Sequence, residues 1–404
     1  MKNSSKLSGG RRGLAAALTA CLLAGSMPVT ALAAKRPNDN MTDTEAPAPD
    51  INKDLTPEFA YSQDKWAALK DNVMEYGELA DLIHEYNPTV RSNRESYNDM
   101  KGKTLNDVYQ EVMDDVDTIW SSADSDNDVA MANVNMSASL LQQQADDLYE
   151  DPEMEKIKYD QTEASLVAQA QQLMATYEQS RYTLENLNST RDLMQEQYGA
   201  AVARQAAQVG TQTDVLNALK SVQDQDAAIL SSQKSANNVH RSLCLMLGWQ
   251  ADSQPEIRDL PEPDLARIDG MNPEADLETA LANNYDIRYY QKKVGNLTSG
   301  SLIESTKATI QDTQNTVTNS LKTNYNKVLT TRDTLNTAQA QLQLATVNLN
   351  TAAARLAAGS AAKLDYMAAE NEFLTAKNTV ETTKLQLQLA IESYDWVVKG
   401  LTSN

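Results

Sequence analysis

The sequence of 404 residues contains few of the side chains on which catalytic and metal-binding sites depend. It has two cysteines and two histidines, which do not form the set of several closely spaced ligands that a zinc site needs. It also lacks a glycine-rich phosphate-binding loop and the Gly-x-Ser-x-Gly motif of hydrolases. The sequence therefore predicts neither an enzyme nor a protein that carries a metal ion or another cofactor.

Basic residues and large aromatic residues are scarce as well. Lysine and arginine total 35 against 56 aspartates and glutamates, which gives a net charge of -21. A protein that binds nucleic acid needs a basic surface to neutralise phosphates, so this class of partner is excluded. With two phenylalanines and four tryptophans, the apolar residues are mostly alanine and leucine. This composition is typical of long helices.

The remaining residues that could support chemistry have simpler explanations. His84 and His240 both fall within helical patterns, and we expect each to be a partly exposed helical residue. The aspartates between 114 and 128 could attract calcium, but they lack the glycine and the final glutamate of a calcium-binding loop. We expect a solvated acidic stretch there.

Residues 1–33 have the pattern of a secretory signal peptide. Basic residues precede an apolar run at 14–24, and Ala-Leu-Ala at 31–33 forms a small-residue cleavage site. Such a run is too short to span a bilayer permanently. A lipoprotein remains an alternative, because Leu-Thr-Ala precedes Cys21, although Cys21 lies inside the apolar run. Export predicts a location in the cell envelope, with Cys244 as the single remaining cysteine and no internal disulfide.

Prolines divide the rest of the chain into two helical parts. Four prolines mark a disordered linker at 34–60, and four more mark a second linker at 248–275. The parts between and after these linkers are poor in proline and share a common order of motifs, which indicates an internal duplication. The expected repeats are 61–247, which contains an acidic insert at 101–153, and 276–404.

Heptads flank a glycine in the second repeat. Large residues recur every seven positions on both sides of this glycine, with small residues between them. The large residues are Leu335, Leu342, Leu349 and Leu356 before Gly359, and Tyr366, Phe373, Val380, Leu387 and Tyr394 after it. This pattern predicts two antiparallel helices whose large and small side chains interlock. The first repeat has a looser version around Gly210. We therefore expect an all-α fold of elongated antiparallel coiled-coil hairpins from two internal repeats, with little or no β structure.

The turn of each hairpin should be built by a short group of residues. We expect a glycine in the left-handed conformation to end the first arm and an aspartate to lie near the positive end of the returning helix. A hydroxyl side chain should cap that helix, either Thr211 or Thr213 in the first hairpin and Ser360 in the second. The residues in question are Gly210, Thr211, Asp214, Gly359, Ser360 and Asp365.

The arms of each hairpin differ in length, and a short helix in each repeat could make up the difference. The expected helices are about 78–100, 154–208 and 212–247 in the first repeat, and about 277–297, 302–358 and 364–400 in the second. The returning arm is about 20 residues shorter than its partner, which is close to the length of the short helix. Stacking the short helix end to end on the returning arm gives two full rods per repeat and four per chain.

The order of these motifs resembles that of the TolC-like outer-membrane efflux protein family. Each repeat of that family has a short helix with an Ala-Leu, Asn-Pro type start, as in Leu-Ile-His-Glu-Tyr-Asn-Pro at 82–88 and Ala-Leu-Ala-Asn-Asn at 280–284. Its hairpin tips read Val-Gly-x followed by Asp-Val-Leu-x-Ala, as at 209–218 and, more loosely, at 359–369. The match extends over 78–401.

The resemblance implies a homotrimer in which twelve rods form a hollow cylinder. Such a duct passes substrates out from an inner-membrane pump with the help of a periplasmic adaptor, which docks on the hairpin tips, and the tips also close the channel. The six turn residues named above are then docking and gating candidates. Alternatively, they only turn the chain and cap its helices.

The chain departs from the family pattern between the short and long helix of each repeat. Family members that cross an outer membrane insert a β-hairpin at these two places, but 295–301 is too short for one. The insert at 101–153 is longer but acidic, and we expect loop or helix there. Independent insertion into an outer membrane is thus not expected, although the resemblance implies an outer-membrane location. An exported coiled-coil scaffold of the envelope, without a pore, is therefore the alternative function.

Overall fold

The computed structural model describes residues 61–121, 128–146 and 150–402. The predicted signal peptide and the linker at 34–60 lie outside these residues, as does Cys21. In chain order the elements are α1 (Gln63–Leu69), β1 (Val73–Met74), α2 (Leu79–Tyr86), α3 (Pro88–Met100), α4 (Leu105–Ser121), α5 (Asp128–Asp146), α6 (Pro152–Ala206), α7 (Gln212–Met246), β2 (Glu256–Ile257), α8 (Leu265–Asp269), α9 (Pro273–Asn283), α10 (Tyr285–Asn296), α11 (Gly300–Ala357) and α12 (Lys363–Val398). The all-α fold of two long hairpins with almost no strand is confirmed.

The two hairpins are α6 with α7 and α11 with α12. Within the second hairpin, the predicted heptad positions form a continuous apolar core. Its buried members include Leu335, Ala338 and Ala345 on α11, and Val380, Leu387 and Tyr394 on α12. Burying apolar surface contributes roughly 25 cal/mol per Å², so the alternation of large and small side chains holds the two arms together.

The two hairpins lie side by side through α6 and α12, so the long helices contact one another in the order α11, α12, α6, α7. Hydrogen bonds between side chains connect α6 and α12. Asn378 is buried and donates to Asn186 Oδ1 at 2.9 Å, and the Trp396 indole donates to Gln171 Oε1 at 2.8 Å. Buried and partly buried polar side chains therefore contribute to the interface between the hairpins.

The expected single helices at 78–100 and 277–297 are wrong, because each is broken at an asparagine. Asn87 and Asn284 cap α3 and α10 by accepting hydrogen bonds from the backbone of the new helix. Pro88 also disfavours helical backbone at Asn87. The same asparagines donate to the ends of the returning arms, Asn87 to Met246 O at 2.9 Å and Asn284 to Gly400 O at 3.0 Å. Thus α3 continues the rod of α7, and α10 continues that of α12.

The linker expected at 248–275 contains more structure than its prolines suggest. Its β2 pairs in parallel with β1, α8 follows, and Pro273 begins α9 instead of breaking a helix, because the first helical position needs no backbone donor. Between β2 and α8 the chain crosses both hairpins. Leu260 N–H donates to Glu178 of α6 at 2.9 Å, and Glu262 accepts from Lys384 of α12 at 2.9 Å.

The acidic insert is helical, as one of the two expected alternatives states. It forms α4 and α5, and the weak strand candidate between 130 and 140 lies inside α5. In the second repeat only residues 297–299 separate α10 from α11. Among the described residues, no helix combines the length and hydropathy that crossing a membrane would need.

The expectation that both histidines are partly exposed is wrong. His84 is fully buried between α2, α3 and α6, where its Nδ1 lies 2.8 Å from Glu163 Oε1 and its Nε2 lies 2.8 Å from Arg94 Nη1. An arginine can only donate, so Nε2 accepts and Nδ1–H donates to the carboxylate. His240 is buried beside Cys244 and the ring of Tyr177. Packing from neighbouring helices, which the sequence does not display, encloses both rings.

We expect His240 to make the fold sensitive to mild acid. Burial lowers the pKa of His240 from its ordinary value of 6.5. Below that value the unfolded chain binds a proton that the folded chain resists, so stability falls as the pH falls. In His240→Leu the loss of stability between pH 6.5 and 5.5 should be smaller by up to about 1 kcal/mol, because an unfolded histidine is already half protonated at pH 6.5. Urea unfolding of both proteins at the two pH values measures this difference, and equal losses would contradict it.

Candidate functional site: the hairpin tips and the lateral edges

The first tip, residues 207–211, turns without a left-handed glycine. The left-handed residue is Gln208, with φ of 61°, and not Gly210 as expected. Gly210 has another reason to be glycine: a Cβ atom there would lie 3.1 Å from Arg204 Cβ and 3.2 Å from Gln205 N. The glycine therefore permits the close return of the chain over the end of α6.

Thr211 caps the start of α7, as one of the two expected alternatives states, and Asp214 completes a reciprocal cap with it. The Thr211 hydroxyl oxygen accepts from Asp214 N–H at 3.1 Å, and Asp214 Oδ2 accepts from Thr211 N–H at 2.9 Å. The hydrogen bond from the Thr211 backbone lowers the pKa of Asp214. Both residues are exposed, so the tip presents a fixed negative charge to the solvent.

The second tip, residues 358–362, differs in its cap. Gly359 is left-handed as predicted, with φ of 69°. The expected cap by Ser360 is wrong, because Ser360 lies too early and its hydroxyl donates to Arg355 O at 3.1 Å, at the end of α11. The cap position is Ala362, which has no side-chain acceptor, so only Asp365 contributes by accepting from Ala362 N–H at 3.1 Å.

The two tips lie at the same end of the hairpins but at different heights. Lys363 Nζ, at the start of α12, lies 2.9 Å from Glu196 Oε2, and Asn371 lies against Ser189 in the same register. This register places the second tip beside residue 200 of α6, about eight residues before the first tip. At 1.5 Å per residue, the first tip extends about 12 Å further. The six turn residues therefore do not form one cluster.

The most exposed large apolar side chain at the tips is Val209, which is 75% exposed. Sequence analysis did not select it or the Lys363–Glu196 pair, although Val209 belongs to the quoted Val-Gly motif. Within the part of the chain that the structure describes, no three His, Cys, Asp or Glu side chains are arranged to hold a metal ion. The tips thus offer hydrogen-bonding groups, charge and one apolar side chain, which suit contact with another protein.

The backbone conformations of the tips predict opposite effects for two exchanges. Gln208→Gly should stabilise the protein by about 0.5–1 kcal/mol, because glycine adopts a positive φ without steric cost. Gly359→Ala should destabilise it by about 1 kcal/mol for the same reason. Urea unfolding followed by circular dichroism measures both. Effects of the same sign in the two variants would contradict the assignment of the left-handed residues.

The outer helices of the layer, α7 and α11, carry exposed large apolar side chains along their length. They are Leu216, Leu230 and Leu245 on α7, and Leu302, Leu344 and Val347 on α11. A shallow groove of about 530 Å³ also runs along α11 between Val347 and Ser360. Large apolar side chains left in water on a helix face often mark an interface.

Three side-chain contacts fix the relative heights of the long helices. They are Arg191 with Asp226 between α6 and α7, Asn371 with Thr190 between α6 and α12, and Tyr325 with Tyr394 between α11 and α12. Because neighbouring helices are antiparallel and rise equally per residue, moving up by one residue number on one helix corresponds to moving down by one on the next. Counted in this way, Leu230 of α7 lies at the height of residues 344–347 of α11.

The two patches at this height also lie in uncharged stretches. On α11 no charged residue occurs between Asp333 and Arg355, and on α7 none occurs between Asp226 and Lys234. Leu230 is 68% exposed, Leu344 62% and Val347 60%. The two edges of the layer thus present apolar, uncharged surfaces at matching heights.

Comparison with known proteins identifies the fold. No protein-family model matches the chain, and no curated protein matches it. Among solved structures, a membrane protein from Pseudomonas aeruginosa is similar over 80% of this chain and 93% of its own, with 14% identity and a TM-score of 0.51. The outer-membrane channel OprN is similar over 88% of this chain and 98% of its own, with 12% identity and a TM-score of 0.52. The chain therefore has the fold of the TolC-like outer-membrane channels, as its motif order predicts.

Proposed function

We propose that the chain is one subunit of a trimeric helical exit duct in the cell envelope. The duct passes substrates outward from an inner-membrane pump, with a periplasmic adaptor between pump and duct. The observation that carries this proposal is the pair of apolar, uncharged edges on α7 and α11 at one height. The fold shared with OprN, an outer-membrane channel by its description, supports it.

The two edges suit contact between different surfaces of neighbouring copies. If α7 of one copy packs on α11 of the next, helix directions continue to alternate around the assembly, and all tips stay at one end. Pairing α7 with α7 through a twofold axis perpendicular to the rods would place the tips at opposite ends. Contact of this head-to-tail kind closes into a ring when the rotation permits it. Three copies of four rods then give twelve.

The tips are the proposed docking and gating elements of the duct. The tip that extends further contains Gly210, Thr211 and Asp214. The shorter tip contains Gly359, Ser360 and Asp365. Exposed Val209 offers an apolar contact to an adaptor, and the rigid Thr211–Asp214 cap offers a charged one. The hydrogen bonds between α6 and α12 support gating, since hydrogen bonds to water can replace them when the hairpins separate.

Disulfide trapping combined with mass measurement tests the ring. In a Cys244→Ala background, Leu230→Cys combined with Val347→Cys should form links between copies and yield three linked chains. The control pair, Leu245→Cys with Val347→Cys, places the thiols about 15 residues apart in height, or about 22 Å, and should not link. Light scattering of the unmodified mature protein should give the mass of three chains. A strict monomer would overturn the proposal and favour the exported coiled-coil scaffold.

A further inference from the structure

The helix pair α4–α5 lies at the end of the molecule opposite to the tips, because it joins the end of α3 to the start of α6. The two helices pack on each other. Among their described side chains, only Val116 and Ala138 are buried. A pair of short helices that buries so little apolar surface is marginal in water without further packing.

The two helices differ in charge. One face of α4 carries acids such as Asp107, Glu111, Asp114 and Asp115, whereas α5 has no charged residue from 129 to 145. On α5, Met131, Val134 and Leu141 are partly buried along the side that includes Ala138, toward α4. The other side of α5 carries Met136 and Leu140, which are 62% and 60% exposed. The pair thus has an acidic side and an uncharged, apolar side.

We propose that the Met136–Leu140 face of α5 packs against the same face in other copies of this chain, so that the α4–α5 pairs form a shared helical bundle. The charge distribution favours a second copy as the occupant. Each chain carries a net charge of -21, so like-charge repulsion opposes contact between copies at most surfaces. The long uncharged stretch of α5 escapes this repulsion. Acidic α4 in turn opposes adsorption of the pair to an anionic bilayer.

This contact goes beyond the proposed duct, because it does not require the edges α7 and α11 to meet. It would join the chains at the end remote from the tips. It would also supply the apolar burial that the pair lacks on its own. Experiments can therefore support or contradict the α5 bundle independently of the α7–α11 ring.

Matched cysteine variants on α5 test the proposal in the full mature chain with Cys244→Ala. Asn133 and Asn135 are both exposed, but at 100° per residue only Asn133 lies on the Met136–Leu140 side. After mild oxidation of dilute protein, Asn133→Cys should give at least tenfold more disulfide-linked dimer than Asn135→Cys. Equal yields would overturn the proposal.

Three further experiments separate this contact from its rivals. Met136→Asp with Leu140→Asp should lower the Asn133→Cys yield about tenfold while circular dichroism retains the long helices, and an unchanged yield would overturn the proposal. With Leu230→Asp, which removes the ring contact, the Asn133→Cys link should persist, and its loss would show that α5 does not self-associate. Flotation with phosphatidylcholine vesicles that depends on Met136 and Leu140, without the link, would assign the face to lipid.

Discussion

Replacing Gly400 with alanine is expected to destabilise the second repeat by about 2–5 kcal/mol, the sum of backbone strain and overpacking. Gly400 has φ of 104°, and a Cβ atom there would lie 2.2 Å from Asn283 O. That atom belongs to the backbone of the junction where α10 begins on the end of α12, so it cannot move without breaking the junction. Gly248→Ala should have a similar effect in the first repeat, since its Cβ would lie 2.4 Å from Tyr86 Cβ.

Gly295→Ala is the matched control for both junction variants. Gly295 lies within α10, and a Cβ there would meet nothing within 4 Å. Alanine in a helix interior is favoured over glycine by about 0.5–1 kcal/mol, so this variant should be as stable as the parent or slightly more so. Thermal and urea unfolding followed by circular dichroism compare the three. If Gly400→Ala unfolds like the control, end-to-end stacking of α10 on α12 is wrong.

If the proposed trimer forms, Leu230→Asp is expected to convert it to single chains. In one copy the Leu230 side chain is 68% exposed, so a charge there costs the fold itself little. In the ring it would lie unpaired against Leu344 and Val347 of the next copy, where no lysine or arginine between 334 and 354 could neutralise it. Burial of an unpaired charge in each of three contacts costs several kcal/mol per contact.

Light scattering measures the mass, and circular dichroism shows whether the helices remain. Leu245→Asp introduces the same charge on the same helix, about 22 Å away in height, and should leave the proposed trimer in place. If both variants stay trimeric, the contact between copies does not involve the middle of α7. If both become monomeric, general charge repulsion would explain the result, and the Leu230 pairing would be rejected.

The long helices could be predicted because their cores are periodic. Heptads around Gly359 predicted both arms to within about two residues, and residue type limited the cap of α7 to Thr211 or Thr213. The breaks at Asn87 and Asn284 were missed although asparagine is a common helix cap and Pro88 follows Asn87. Their contacts with Met246 and Gly400, more than 100 residues away, could not be predicted from local sequence.

The candidate site was less accessible to sequence reasoning. Glycine is the usual left-handed residue, so Gln208 gave no signal, and Ser360 has the right chemistry for a cap at a position two residues too early. The relative height of the tips depends on the register between α6 and α12. That register is set by contacts such as the one between Lys363 and Glu196. No sequence pattern common to α6 and α12 indicates which of their residues meet. Burial of His84 depends in the same way on three helices that meet only in the fold.

The unequal reach of the two hairpins has a consequence for any partner that approaches the end of a three-chain ring. Six turns would be present, yet only the three built around Val209 and Gly210 would stand in the outermost plane. A flat partner surface would contact only these three turns. To reach Gly359, a partner would need a part that extends between them. The symmetry of first contact would therefore be threefold, even though the wall is built from six similar hairpins.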